Sequence, residues 1–338
     1  MRTRSRVAVG LVGAASAALG LFAAGTAANR LISRRIRSSV DADLDPLYAL
    51  PSDVIRHDVA SHDGGNIHVV ERGSGRPLVL IHGVTLQAEV WAPMLHLLAD
   101  RFRVVAVDVR GHGRSVVGQD GIGRRLAARD LATVLEHLDL QGAIVMGHSM
   151  GGMILGEFCG DFPALVSERV AGLVFMSTAS SQLVPAALVP FAERIERYAL
   201  RRVETGRSLP RVMGDNNRSL VATRVAFGSR PSGVAVEQAR RRGADVDLSA
   251  DLPLWLDLFD YDGEAALAAV DVPALVLVGA RDLLTPLSMA KRIDRHLQHS
   301  TMLVIPGAGH QLMQERPREV SEAIVDLARG LNPWIEGS

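Results

Sequence analysis

A protein attacks a carbonyl with a serine hydroxyl only if it supplies four things together. They are the serine, a histidine to take its proton, a carboxylate to orient that histidine, and backbone N–H groups to stabilise the oxyanion. This sequence offers each of them where an apolar run ends. In residues 143–152, AIVMGHSMGG, an apolar run of strand character stops at Ser149, with Gly147 and Gly151 on either side, and the helix-compatible MILGEFCG follows directly. The spacing Gly147-x-Ser149-x-Gly151 alone is weak in a chain with 32 glycines. Between a buried strand and a helix it gains meaning, because small residues two positions either side permit the sharp turn that exposes a hydroxyl. Met150, opening that helix, would turn its backbone N–H towards the oxyanion.

Among eleven histidines, His310 stands out: it follows the last apolar run in VIPGAGHQLMQERP, where Gly307 and Gly309 free the loop and Pro317 begins a helix. Asp282, in LVLVGARDLLTP, lies one short loop past its own strand and fits the orienting acid. A second oxyanion donor is expected in LVLIHGVTLQAEVW, where the backbone N–H of Val84 follows His82-Gly83 at a strand end. Reading Ser149 as a plain turn residue would leave its partners at three other strand ends as coincidence. Asp108, in VAVDVRGHGRS, also follows a strand, but Arg110, Gly111, His112, Gly113 and Arg114 around it suggest a hydrogen-bonded structural loop. His82 reads as a brace for its loop rather than a catalyst, and His112 has no strong catalytic claim. His148 is a candidate for shaping the substrate pocket; Trp91 either lines that pocket or anchors a helix.

These positions need a rigid scaffold. The runs at 77–83, 103–111, 142–149, 171–177, 274–280 and 301–307 are almost continuously apolar, as strands of a parallel sheet covered on both faces are. Segments 54–61 and 66–73 bracket Asp63-Gly64-Gly65 and suggest an antiparallel hairpin. Helical patterns fall around 86–99, 121–138, 150–160, 285–298 and 317–329, an alternation that defines an α/β sheet protein. The interval from Ala179 to about Val270 is too long for an ordinary connection. Leu188, Phe191, Ile195 and Ala199 recur there at helical spacing, so 181–270 reads as a helical cap inserted between core segments 53–180 and 271–338. A solvated amphipathic helix with no substrate role is the alternative.

With 338 residues, 48% of them apolar, the chain can bury one large core with an insertion. Its 37 basic and 37 acidic residues cancel, leaving no global basic field for nucleic acid. The one cysteine, Cys159, excludes an intramolecular disulfide and a multi-cysteine metal site, and its apolar surroundings suit a small buried hydrophobe. No metal and no organic cofactor are expected. Charge is uneven at the N-terminus: Arg2, Arg4 and Arg6 precede 22 residues without an ionisable side chain (7–28), and Arg30, Arg34, Arg35 and Arg37 follow. Such a run makes a helix of roughly 33 Å, long enough to cross a hydrocarbon core. Residues 1–29 therefore suggest an uncleaved membrane anchor, with a cleaved secretory signal or a loosely associated helix as alternatives; arginine counting does not fix an orientation. Residues 30–52 turn from basic to acidic around Pro46 and Pro51 and read as a linker.

Over 53–330 the motifs LVLIHG, DVRGHGRS, GHSMGG, GARDLLTP and PGAGHQLMQERP, in this order, resemble the α/β-hydrolase superfamily. The chain order Ser149, Asp282, His310 matches that family and differs from chymotrypsin and subtilisin. The resemblance implies the α/β-hydrolase fold: a mostly parallel eight-stranded sheet flanked by helices, with an inserted helical cap after the sixth strand. It also implies acyl transfer through a serine ester, with Ser149 as nucleophile, His310 as base, Asp282 as its orienter, and Val84 and Met150 as oxyanion donors. Epoxide hydrolases and haloalkane dehalogenases of this fold carry aspartate where Ser149 stands, and epoxide hydrolases usually have proline where this chain has Thr85, which argues against both activities. The likeness is strongest to capped Ser-Asp-His esterases, cofactor-free haloperoxidase-like perhydrolases and carbon–carbon bond hydrolases, which these motifs do not separate. A small lipophilic or medium-chain ester is the expected substrate. A non-catalytic binding protein of the same fold is the reading from another class, although such proteins usually lack one member of the triad.

Overall fold

A computed structural model describes residues 26–181, 189–207, 214–245 and 248–331. The six near-continuous apolar runs all become strands: β3 (Arg76–Ile81), β4 (Phe102–Val107), β5 (Ala143–His148), β6 (Val170–Met176), β7 (Ala274–Gly279) and β8 (Ser300–Ile305). They follow the hairpin of β1 (Ile55–Ala60) and β2 (Asn66–Arg72), which closes in the register Ala60↔Asn66. One sheet results, in the order β1-β2-β4-β3-β5-β6-β7-β8; β2 runs antiparallel to both neighbours and every pairing among β3 to β8 is parallel.

Alternate residues of the central strands serve opposite faces, as a pleated strand requires. Val79, Val145, Phe175 and Val276 enter one apolar layer with Leu131, Leu135, Ile154 and Phe158; Leu80, Met146, Val174 and Leu277 enter a second layer with Trp91, Met94, Leu95 and Ile324. Helices supply the covers: α1 (Thr26–Arg37), α2 (Ala92–Leu97), α3 (Arg124–His137), α4 (Met150–Asp161) and α5 (Pro163–Arg169) precede β6 or lead into it. Between β6 and β7 lie α6 (Val189–Glu204), α7 (Asn217–Thr223), α8 (Gly233–Asp245), α9 (Leu248–Phe259) and α10 (Glu264–Ala268). After β7 come α11 (Leu287–His296), α12 (Leu312–Glu315) and α13 (Pro317–Gly330).

Residues 30–52 depart from the expected linker. Asn29, Ser33 and Ile36, spaced for one face of α1, are buried, and Ile36 and Tyr48 join Leu220, Val221, Phe227 and Val236 in an apolar cluster. Ser33 donates its hydroxyl to the Asn217 carbonyl at 3.3 Å, Ser39 donates to the Pro231 carbonyl at 2.9 Å, and Ser232 bonds the Asp45 carboxylate. Pro46 opens a short 3-10 turn, Asp45–Tyr48, instead of breaking structure. Of the expected membrane segment 7–28, all but Thr26, Ala27 and Ala28 lies outside the described residues; among those described, no helix is long and apolar enough to cross a membrane.

The loop after β4 is pinned by a buried ion cluster. Arg110 meets Asp130 through Nε at 2.6 Å and Nη2 at 2.8 Å, and reaches Asp63 at 3.2 Å, with all three side chains almost wholly excluded from solvent. Removing the cation strands two carboxylates, so Arg110→Ala is expected to cost roughly 3–5 kcal/mol in urea unfolding.

Candidate active site

Ser149 sits between β5 and α4 with φ 53° and ψ −119°, in the left-handed region that costs a non-glycine residue energy. The surrounding glycines are there because nothing larger fits. A Cβ on Gly147 would stand 2.3 Å from the Gly151 carbonyl oxygen, and one on Gly151 would stand 2.3 Å from that of Ile81. Thr178, after β6, donates its hydroxyl to the Ser149 carbonyl at 2.6 Å and so braces the turn from the neighbouring strand. Thr178 carries no motif of its own; its only signal in the sequence is its place just past a strand end.

Asp282 and His310 arrive from the loops after β7 and β8. His310 Nδ1–H donates to Asp282 Oδ2 at 3.0 Å and lies 3.2 Å from Oδ1. The carboxylate also accepts the backbone N–H groups of Leu284 and Thr285 and the Thr285 hydroxyl, each at 2.9 Å. Burial alone would raise the Asp282 pKa; the His310 imidazole and these donors outweigh it and hold the carboxyl below its usual range. Thr285, also 3.2 Å from His310 Nδ1, went unnoticed in the sequence, although a threonine three residues after an aspartate is a recognisable local turn.

His148 links this pair to the elbow. Its Nε2–H donates to the His310 carbonyl at 2.9 Å, and the two rings lie 4.8 Å apart. Burial first, then the neighbouring His310, lowers its pKa from 6.5 to about 3, so it is neutral at ordinary pH. The unfolded chain therefore binds the extra proton between those values: the stability due to His148 is present above about pH 6.5 and is lost as pH falls towards 3. Between pH 7 and 5 this amounts to about 2 kcal/mol. His148→Gln, which keeps a donor but cannot titrate, is expected to flatten the dependence of urea stability on pH over that interval. The slope should not vanish, because burial also depresses His82.

Gly83 faces the elbow closely: a Cβ there would stand 3.0 Å from Ser149 Cβ and 2.9 Å from His148 Nδ1. His82 accepts the Val109 N–H on Nε2 at 3.0 Å and donates Nδ1–H to the Gly83 carbonyl at 2.7 Å. Fixing that carbonyl turns the other edge of the same trans peptide, the Val84 N–H, the opposite way. Met150 is the first residue of α4, where backbone N–H groups have no partner within the helix and the dipole favours negative charge.

Two expected pocket residues sit deeper than a pocket lining requires. Trp91 is fully buried in the apolar layer beneath the sheet, its ring edge-on to His148 at 6.5 Å, which fits the helix-anchor alternative; His148 is 1% exposed. Asp108 accepts the Ala88 and Arg114 N–H groups at 2.6 and 2.9 Å and serves its loop. Cys159 is buried, and burial pushes its thiol up to about 12. Among the described residues one trio, His62, Asp63 and Asp120, has ligand atoms spaced for a metal ion. The oxygens of Asp63 are already taken by Ser61, Arg110 and backbone N–H groups, so the trio is poorly suited to an ion.

Residues 76–317 match the model of the alpha/beta hydrolase fold family. A pimeloyl-[acyl-carrier protein] methyl ester esterase of Pectobacterium atrosepticum is 30% identical over 77% of this chain and 96% of its own. A non-heme chloroperoxidase of Streptomyces lividans is 29% identical over 80% of this chain and 99% of its own. The solved structure of a thermophilic esterase from Thermogutta terrifontis superposes with a TM-score of 0.69 at 26% identity, over 82% of this chain and 99% of that one. The chain belongs to the alpha/beta hydrolase fold family. It is an enzyme of that fold, a hydrolase.

Proposed function

We propose that this protein is a serine hydrolase that cleaves carboxylic esters through an acyl-enzyme, with Ser149 as nucleophile, His310 as general base and Asp282 as its orienter. One observation carries the reading: the turn that forces Ser149 into the left-handed region is tied through His148 to the loop whose histidine donates to a buried carboxylate. His310 Nε2 takes the Ser149 proton as the hydroxyl oxygen bonds the ester carbon, and the oxyanion is met by the Val84 and Met150 N–H groups. His310 then returns the proton to the leaving alcohol; in the second half-reaction it activates the water that releases the acid. We read residues 181–270 as the cap over this site.

The esterase relative supports carboxylic esters, and an apolar cap suits lipophilic or medium-chain ones. Perhydrolysis is the second reading, favoured by the chloroperoxidase relative; carbon–carbon bond cleavage is compatible with the same machinery. A panel of p-nitrophenyl esters, peracid formation and vinylogous diketones tests this. Hydrolysis of medium-chain esters is expected; a preparation that leaves every ester untouched while cleaving a diketone refutes the ester reading. Residues 7–28, by composition, further suggest attachment to a membrane, with secretion after signal cleavage as the alternative. Retention in carbonate-washed membranes is expected, and a soluble product shortened by the first 28 residues would overturn attachment.

A further inference from the structure

The segment after His310 holds a carboxylate that the reaction above does not use. Glu315, at the end of α12, is 4% exposed. One of its oxygens accepts the Gly309 N–H at 2.9 Å, and the other accepts the Gly228 N–H at 2.6 Å. Gly309 immediately precedes His310, whereas Gly228 belongs to the stretch between α7 and α8, about eighty residues away in the sequence. The two backbones press directly together: a Cβ on Gly228 would stand 2.1 Å from the Gly307 carbonyl oxygen, and one on Gly309 would stand 2.5 Å from the Gly228 nitrogen. Around this contact the His310 N–H donates to the Ala226 carbonyl and the Ser229 N–H to the Gly307 carbonyl, each at 2.8 Å.

Each donor has a reason to be there. At Gly228 and Gly309 residues 226–229 and 307–310 approach backbone to backbone, so the N–H groups of these two glycines end in the interior, where an unpaired donor is expensive. An ionised carboxylate accepts only, and its two oxygens can serve two donors from different segments at once. No amide or hydroxyl offers two acceptors so placed. Tyr48, which donates its hydroxyl to the Gln314 carbonyl at 2.8 Å, anchors the preceding residue from the N-terminal segment.

We propose that Glu315 is a positioning residue for His310: its carboxylate locks the histidine loop to residues 226–229, so the base and the cap move as one body. The inference rests on His310 acting as the general base. Glu315→Gln is nearly isosteric but must present an N–H to one of the two glycine N–H groups, so one bond is replaced by a repulsion.

The test compares wild type, Glu315→Gln and Ser149→Ala on one p-nitrophenyl ester, with rates normalised to serine titrated by a fluorophosphonate. Small displacements of a catalytic group are costly, so kcat per titrated site is expected to fall between about ten- and a hundredfold while KM changes little. In 15N-histidine-labelled protein the His310 imidazole signal is expected to broaden or split. Partial unfolding alone would reduce the number of titratable sites without lowering kcat per site, and it would add only the imidazole signal of the unfolded chain, leaving the folded His310 signal in place. An unchanged kcat per site with an unaltered His310 signal overturns the proposal. A wild type as inert as Ser149→Ala instead overturns the hydrolase reading on which it stands. If the variant does not fold, hydrogen exchange in the wild type decides. The Gly228 and Gly309 amides are expected to exchange in one common opening event; unrelated opening of the two overturns the lock.

Discussion

Ser149→Ala is expected to lower kcat on a p-nitrophenyl ester by about 10⁵- to 10⁶-fold and to abolish fluorophosphonate labelling. The magnitude follows from how the parts depend on one another. Without the hydroxyl, His310 has no proton to take and no acyl-enzyme can form; what remains is water attack assisted by the Val84 and Met150 N–H groups. Folding should be nearly untouched. Alanine keeps the Cβ that already occupies the strained turn, and the bonds made by the backbone there persist, including that from Thr178 to the residue 149 carbonyl. Thermal unfolding and active-site labelling check both halves. A variant that keeps a hundredth of wild-type turnover would remove Ser149 from the mechanism.

Asp282→Asn is expected to cost about 10⁴-fold in kcat, with KM altered far less. Here the reason is tautomeric. Oδ1 accepts two backbone N–H groups, from Leu284 and Thr285, so an asparagine must place its carbonyl oxygen there. Its NH₂ group then replaces Oδ2, 3.0 Å from His310 Nδ1, and donates where the carboxylate accepted. His310 can satisfy that donor only by moving its proton to Nε2, the atom that should receive the proton of Ser149. The inversion is set by backbone amides that no side-chain rearrangement removes. The pH–rate profile and the imidazole nitrogen shifts of His310 report the tautomer directly; a variant within tenfold of wild type would show that orientation by Asp282 is dispensable.

Much of this candidate site was legible in the sequence because its parts sit where apolar runs stop. Strands buried on both faces leave long apolar signatures, and the residues just past 81, 148 and 279 are therefore easy to find. The glycines at 147 and 151 report a local constraint, the absence of space for a Cβ, so their spacing survives in one dimension. Thr178 and Glu315 were not visible, since each meets a carbonyl or N–H group whose position exists only after the chain has folded, whereas Thr285 left a local signal in its spacing from Asp282. His148 was visible as a residue but not as a buried support, whereas for Trp91 the helix-anchor alternative already stood beside the pocket one. The segment 30–52 misled for a related reason: its charge reversal and two prolines suit a linker, while the buried face of α1 rests on spacing within only three turns of helix.

That segment moves the practical beginning of the folded protein. The hairpin suggests a start near residue 53, and the family match starts later still, at 76. A protein trimmed at either point would lack Ile36 and Tyr48, leaving Leu220, Val221, Phe227 and Val236 without part of their cover. It would also lose the Tyr48 contact beside Glu315. The twenty-odd residues ahead of the recognisable hydrolase thus complete an apolar cluster with residues 220–239, and a design that treats them as a disposable leader would cut into the globule.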